Sequence, residues 1–241
     1  MFKRSINKSR LGLALSLILT VGATMAFGAQ QSDSTPYLIV KNTTEQVLAE
    51  IEAAKEYFDD DPQRFYNRID TILSEVTDFY SFSRSVMGFY ASKRSMNALD
   101  EAGKEKLEQQ IDRFVDKFHD GLVNTYAKGL LNFSGQRIEV VKPRGNDGGS
   151  KSVVITQHIY GDASQPYVVQ FKMRRDRDDA WKVRNVTIEA INLGKIFREQ
   201  FASEARKYDS NLDLVIDNWS SETAAKEVEG VRKGEDLKAD G

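Results

Sequence analysis

The sequence predicts an α+β fold: helices first, then a curved antiparallel sheet of about four strands that the helices cover. Three observations carry this. Apolar residues recur at helical spacing from Pro36 to about Gly129, and the period then drops to two from Ile138. Strand-like runs follow one another across short turn-rich connections, as a meander with one apolar and one wet face requires. Finally, Trp181 to Phe201 begins as a strand and ends as a helix, so its apolar side can fold back over the sheet.

Residues 1–28 read as an export signal. Lys3, Arg4, Lys8 and Arg10 form a basic region, Leu11 to Phe27 an apolar one, and Ala26-Phe27-Gly28 offers small residues for cleavage before Ala29. An uncleaved anchor is the alternative, but the run is short for a spanning helix of about 20 residues. Cleavage predicts a periplasmic protein with one domain over 29–219. There is no cysteine, which removes lipoprotein attachment, disulfides and thiolate metal ligands. Losing the signal removes four basic residues and no acidic one, leaving 30 against 36, a net charge of −6 with His neutral. Such an acidic chain is not expected to bind nucleic acid or bare anionic membrane.

The first helix starts at Pro36, with Val40, Val47, Leu48, Ile51 and Phe58 on one face. Asp59-Asp60-Asp61-Pro62 could suggest a metal site, but Asp before Pro at a helix start is the commoner arrangement and predicts a cap. The second helix buries Phe65, Ile69, Ile72, Leu73 and Val76. Asp78 to Tyr90 is dense in aromatics and reads either as a short buried helix and turn or as a cavity wall. Asp100 caps a long helix whose apolar face includes Leu107, Ile111, Phe114, Phe118 and Tyr126.

Ile138 and Val140 mark the first strand, and Pro143 to Ser150 a turn-rich loop without the lysine-serine pair of a phosphate-binding loop. Val153, Ile155 and Ile159 share a face of the second strand; Tyr167, Val169, Phe171 and Met173 share a face of the third. In the last strand the alternation slips between Val183 and Val186, which predicts either a bulge or burial on both sides near Arg184 and Asn185. Asn192 is placed to cap a helix carrying Leu193, Ile196, Phe197 and Phe201, which the strand enters directly. A weaker helical piece spans Leu212 to Trp219, and 220–241 reads as a disordered charged tail.

Catalytic patterns are missing. No HExxH or nucleophile-elbow motif accompanies His119 or His158. His119 is expected beside a polar helix face with Asp116 and Asp120, and His158 opposite the apolar set of its strand. The carboxylates interleave with lysine as solvated faces do. A hidden acid–base pair leaves little trace in sequence, so an enzyme stays open at this point.

The order of parts resembles the MlaC family of phospholipid-binding proteins, also called the toluene-tolerance family. Pro36-Tyr37, the Tyr80-to-Gly88 segment, Trp181 to Leu193, and Arg198 with Phe201 carry the resemblance. Asn185 stands where the family favours aspartate and Ala190 where it favours glycine. The resemblance implies that acyl chains enter an apolar cavity between helices and sheet, with Val153, Ile155, Tyr167, Val169, Phe171, Met173, Val183, Leu193, Phe197 and Phe201 as pocket candidates. It implies a non-enzymatic carrier without metal or cofactor. Its partners would be an outer-membrane lipoprotein complex and an inner-membrane ABC transporter complex with its substrate-binding subunit, and its task the maintenance of outer-membrane lipid asymmetry. Two other readings compete. An enzyme on a cone-shaped α+β fold would need a buried acid or Tyr facing the ligand, and the apolar strand faces offer chiefly Tyr167. A non-binding scaffold would use its aromatics only as core.

Overall fold

The computed structural model describes residues 35–131, 137–143, 150–161, 165–222 and 226. The expected export signal, most of the turn-rich loop and most of the charged tail lie outside the described residues. Ser220 and Ser221, expected at the start of that tail, are held to the body: Gln200 Nε2 donates to Ser220 O at 2.7 Å, and Ser221 is buried.

Short polar side chains start every helix. Thr35 accepts from Leu38 N at the head of α1 (Pro36–Ala54), where Pro36 occupies the first turn at no cost in hydrogen bonds. Asp61 accepts from Arg64 N at 3.2 Å and opens α2 (Pro62–Val76), so the acidic triplet ends in a cap. Asp78 accepts from Ser81 N at 2.8 Å to begin α3 (Phe79–Met87), which stops at Gly88 with φ +59°. A five-residue helix, α4 (Lys93–Asn97), capped by Ser92, is too short to register as a periodic pattern in the sequence. Asp100 then caps the 30-residue α5 (Glu101–Leu130), about 45 Å long at 1.5 Å per residue.

Strands β1 (Arg137–Val140), β2 (Ser152–Tyr160), β3 (Tyr167–Arg175), β4 (Trp181–Ile188) and β5 (Ile191–Asn192) pair antiparallel in sequence order. Lys172 pairs with Asn185 but Met173 with Val183, so Arg184 is the extra residue of a bulge. The bulge lets Val183 and Val186, three apart, face the same side as Met173 and Phe171. Arg184 turns to Asp78 at 2.8 Å, while Asp78 N donates to Val183 O at 2.9 Å. The bulge thereby fastens the sheet to the junction of α2 and α3.

The long strand expected to run directly into a helix, β4, does not do so. After β4 the chain turns at Glu189 (φ +52°), adds the two-residue β5 and only then enters α6 (Leu193–Lys207), followed by α7 (Leu212–Asp217). The turn is held from β3: Glu189 N donates to Val168 O at 2.8 Å, and the Glu189 carboxylate accepts from Val168 N. Asn192 caps α6 as its position predicts, accepting from Lys195 N at 2.9 Å.

The step from sheet to helix is closed by amides. Asn185 Oδ1 accepts from Gly194 N at 2.9 Å, and Asn185 Nδ2 donates to Asn192 Oδ1 at 2.9 Å. A carboxylate at 185 could accept the first bond but could not donate the second. Gly194 has no room for more, since a Cβ there would lie 2.6 Å from Asn185 Oδ1. Alanine gains about 1 kcal/mol of helix propensity, but displacing Asn185 breaks two part-buried hydrogen bonds at up to about 1–3 kcal/mol each. Gly194→Ala is expected to lower the unfolding free energy by a net ~1–2 kcal/mol, read as a lower denaturant midpoint. An unchanged or raised midpoint would show that Asn185 yields freely.

Buried side chains form three clusters. The largest joins α3, α5, α6 and α7 around Phe114, Phe118, Phe197, Phe201 and Trp219. A second holds α1 to α2 and the end of α5 through Ile51, Phe65, Ile69 and Ala127. A third packs Val40 of α1 on Ile155, Met173 and Val183 of the sheet.

Candidate functional site

Where these three clusters approach one another they do not merge. Between them lies a cavity of about 310 Å³, walled by Phe82 and Leu193 of the first, Ile51 of the second, and Val40 and Val183 of the third. α1 contributes a whole stripe, from Ile39 to Ile51 at helical spacing, facing the inner side of the sheet. α5 closes another side with Leu122, Val123, Tyr126 and Leu130, and the start of α3 adds Phe79.

The sheet presents its inner face through directly paired residues. Val169 sits between Gln157 and Ile188, and Phe171 between Ile155 and Val186. Of the residues expected at a pocket, Val169, Phe171, Val183 and Leu193 line the cavity. Ile155 and Met173 are buried one layer away, under Val40, with the half-buried Val153 packed against them. Tyr167 opens β3 opposite Ile159, half-buried and outside the lining.

Phe197 and Phe201 are placed elsewhere. The Phe197 ring meets Phe118 edge-on at 5.1 Å, and Phe201 meets Phe114 at 4.9 Å, inside the aromatic core. α6 therefore reaches the cavity through Leu193, in its first turn, and its later turns bind it to α5. Arg198 adds a clamp: Nε donates to Ser85 O and Nη2 to Ser85 Oγ, both at 2.7 Å, near the carbonyl end of α3. The aromatic-rich segment fills both roles the sequence leaves open. Phe82, Val86 and Met87 are core, and Phe79 and Phe82 are also cavity wall.

The cavity's chemistry is nearly all apolar. Among its lining residues none is Asp, Glu, Lys, Arg or His, and Tyr126 is the single ionisable group. Burial pushes the Tyr126 phenol well above its usual range, so it stays neutral at physiological pH. Gln157 is the buried polar residue of the wall, and its amide oxygen lies 2.8 Å from Thr44 Oγ1. Among the described lining residues none carries a charge at neutral pH.

His119 has other neighbours than its own helix provides. Its Nε2 lies 2.6 Å from Asp70 Oδ1 and 3.1 Å from Ser74 Oγ, both on α2, and its ring packs on Phe79 at 4.2 Å. The Ser, His and Asp composition suggests a hydrolase triad. Both partners, however, share one ring nitrogen, whereas a triad needs the acid on one nitrogen and the nucleophile on the other. This is a tie between α5 and α2. His158 lies on the outer face of β2, its ring 6.2 Å from Tyr160.

A second, wider depression of about 830 Å³ lies at the junction of α2 and α3, beside the β3–β4 hairpin. It is lined by charged residues of both signs, including the Asp78–Arg184 pair, and has the character of a solvated groove. The apolar cavity is the better ligand site.

Comparison with known proteins agrees with this geometry. The family described as MlaC protein matches residues 41–221. The toluene tolerance protein ttg2D of Pseudomonas putida is 32% identical over 190 residues, covering 79% of this chain and 82% of that protein. An intermembrane phospholipid transport system binding protein MlaC from Haemophilus influenzae is 18% identical over 163 residues, covering 67% of this chain and 71% of that one. A phospholipid-binding protein from Ralstonia solanacearum, solved in complex with a phospholipid, shares the fold. Its TM-score is 0.60 at 19% identity, covering 78% of this chain and 97% of that one.

Proposed function

The chain belongs to the MlaC family, and from that premise we propose that it binds phospholipid in the cavity between α1, α5 and the sheet and carries it, unchanged, between membranes. The observation that supports this most is the composition of the wall: apolar, and without a group that ionises at neutral pH. In this reading the protein works in the periplasm. It collects lipid at an outer-membrane lipoprotein complex and delivers it to the substrate-binding subunit of an inner-membrane ABC transporter complex, so maintaining outer-membrane asymmetry.

The physics explains why a carrier is needed and why chemistry is not. Exposing acyl chains to water costs about 0.8 kcal/mol per methylene, so a lipid with roughly 30 of them meets a barrier on the order of 24 kcal/mol. An apolar cavity exchanges one hydrocarbon-like surrounding for another, so loading and unloading can be nearly neutral, and any directional energy comes from a partner. The cavity's 310 Å³ lies at the small end of the roughly 300–1,000 Å³ range of small-molecule pockets. A two-chain lipid exceeds it, so loading widens the space.

The test is transfer of labelled phospholipid from donor vesicles to the purified protein and on to membrane partner complexes, with mass spectrometry of the label at each stage. Intact label is expected in the acceptor. Lysophospholipid or free fatty acid in proportion to protein, absent from a no-protein control, would replace the carrier by a hydrolase. Protein that recovers no lipid would favour a scaffold.

A further inference from the structure

We propose that the corner between α3 and α4 is a docking surface for an anionic phospholipid bilayer, with the Phe89 ring entering the interface and Lys93 and Arg94 meeting lipid phosphates. The inference goes beyond the carrier reading and does not depend on the cavity, since a protein could dock this way and carry nothing.

Phe89 is the most exposed large apolar residue among those described, at 67%. Single exposed apolar residues are ordinary, but this one is held outward by a fastened turn. α3 stops at Gly88, whose φ of +59° redirects the chain. Phe89 O then accepts from Ser92 N at 3.0 Å and from Ser95 Oγ at 2.6 Å. Arg84 Nη2 donates to Ala91 O at 2.6 Å across the same turn. Next in the chain, Tyr90 packs on the core, its ring 5.8 Å from that of Phe201 on α6. The turn is thus anchored through one aromatic ring while the other is left outside.

The charge around that ring has one sign. From Phe79 to Leu99 the sequence holds Arg84, Lys93 and Arg94 and no Asp or Glu. Lys93 and Arg94 are exposed and have no ion-pair partner among the described residues. The acids bracketing the segment are committed: Asp78 pairs with Arg184 at 2.8 Å, and Asp100 accepts from Gly103 N at 2.8 Å. Arg198 of α6 adds a further cation, bonded to Ser85 and lying against Gly88. The net charge of −6 expected for the mature chain does not cancel this corner. Exposed charges are screened beyond about 8 Å at physiological ionic strength, so a surface in contact meets the local sign.

The occupant follows from the size of the patch as well as its charge. A stable protein interface takes about 800 Å² from each partner, whereas one aromatic side chain buries about 150–250 Å². That apolar area is small for a protein partner and sufficient for weak anchoring to a bilayer. A bilayer interface accepts aromatic rings at headgroup level, and its phosphates meet Lys and Arg at the ends of their flexible stems. Docking here would also bring α3, whose Phe79 and Phe82 wall the cavity, close to the membrane.

The test is flotation of the purified protein with vesicles of equal parts phosphatidylcholine and phosphatidylglycerol, beside vesicles of phosphatidylcholine alone. Wild type should partition to the anionic vesicles, and less so as salt is raised. Lys93→Gln combined with Arg94→Gln should weaken partitioning by roughly 25-fold, about fivefold for each cation. Phe89→Ala should weaken it by about tenfold, as losing part of a buried phenylalanine side chain does. Lys55→Gln, which removes a cation paired with Glu52, should leave it unchanged. As a direct measure of insertion, brominated phosphatidylcholine in the anionic vesicles should quench Phe89→Trp beyond the quenching of wild type. These positions lie outside the cavity lining, so lipid extracted from the folded variants should match wild type. Equal partitioning to both kinds of vesicle, partitioning that survives the corner substitutions, or no added quenching in Phe89→Trp would overturn the proposal. Corner variants that fail to transfer lipid to membrane partner complexes, while wild type ignores vesicles, would assign the corner to a protein instead. Protein that carries lipid but ignores vesicles sinks the docking alone, and protein that floats but holds no lipid sinks the carrier reading alone.

Discussion

Val169→Arg is expected to give a protein that folds and carries no lipid. Val169 is 9% exposed, central in β3, and faces the cavity between Gln157 and Ile188. An arginine here puts its stem into a space of about 310 Å³ and its charge among walls that offer no carboxylate. The guanidinium can stay hydrated only while the cavity is open to water, and acyl chains would strip that water away. An unpaired buried charge costs about 3–5 kcal/mol, so lipid retention should fall by roughly 10²- to 10⁴-fold. Val154→Arg supplies the control. Val154 is 52% exposed on the adjacent strand, outside the cavity lining, and the same substitution there should change neither lipid content nor stability. Lipid per protein is measured by extraction from variants whose near-UV circular dichroism matches wild type. Should folded Val169→Arg retain lipid at the wild-type level, the ligand lies elsewhere.

Phe114→Ala should produce the largest loss of stability. Phe114 is fully buried on α5, and its ring meets Trp219 at 5.0 Å, Phe201 at 4.9 Å and Phe118 at 5.7 Å. It touches rings from α6 and from the chain just past α7, so truncation opens a cavity where several elements meet. Such changes cost about 3–5 kcal/mol, and in a domain of this size each kcal/mol moves Tm by about 2–4 °C. The expected drop is therefore roughly 6–20 °C by calorimetry. A drop under about 3 °C would mean that the aromatic cluster closes over the gap and is far more plastic than its edge-to-face geometry implies.

One helix serves both scaffold and pocket. Phe114 belongs to the stretch of α5 that holds α6 and α7, and Tyr126, further along, belongs to the stretch that walls the cavity. Pocket and scaffold thus share an element, and Leu122 and Tyr126 lie at the border between them. Phe197 and Phe201 fall on the scaffold side, so their truncation is expected to act chiefly on stability.

Local chemistry determined much of this protein from the sequence alone. The caps at Asp61, Asp78, Asp100 and Asn192 bond the backbone N–H three residues on, so spacing within a few residues suffices to find them. The slip in the two-residue period marked Arg184 and Asn185 as irregular and left a bulge or burial on both sides open, and the register of β3 against β4 decides for the bulge. The alternation of Val169, Phe171 and Met173 likewise dictated which face of β3 is inner. What only the tertiary structure decided is which of the buried residues meet each other and which meet empty space. Periodicity reports that Leu193, Phe197 and Phe201 share a face, but that face turns from the cavity to the aromatic core within one turn. The stripe along α1 and Tyr126 read as ordinary core in one dimension, and they become cavity wall only because three clusters stop short of merging. His119 finds Asp70 across 49 residues for the same reason: a helix pattern fixes the direction a side chain points relative to its own axis, and the partner it finds there depends on how the helices pack.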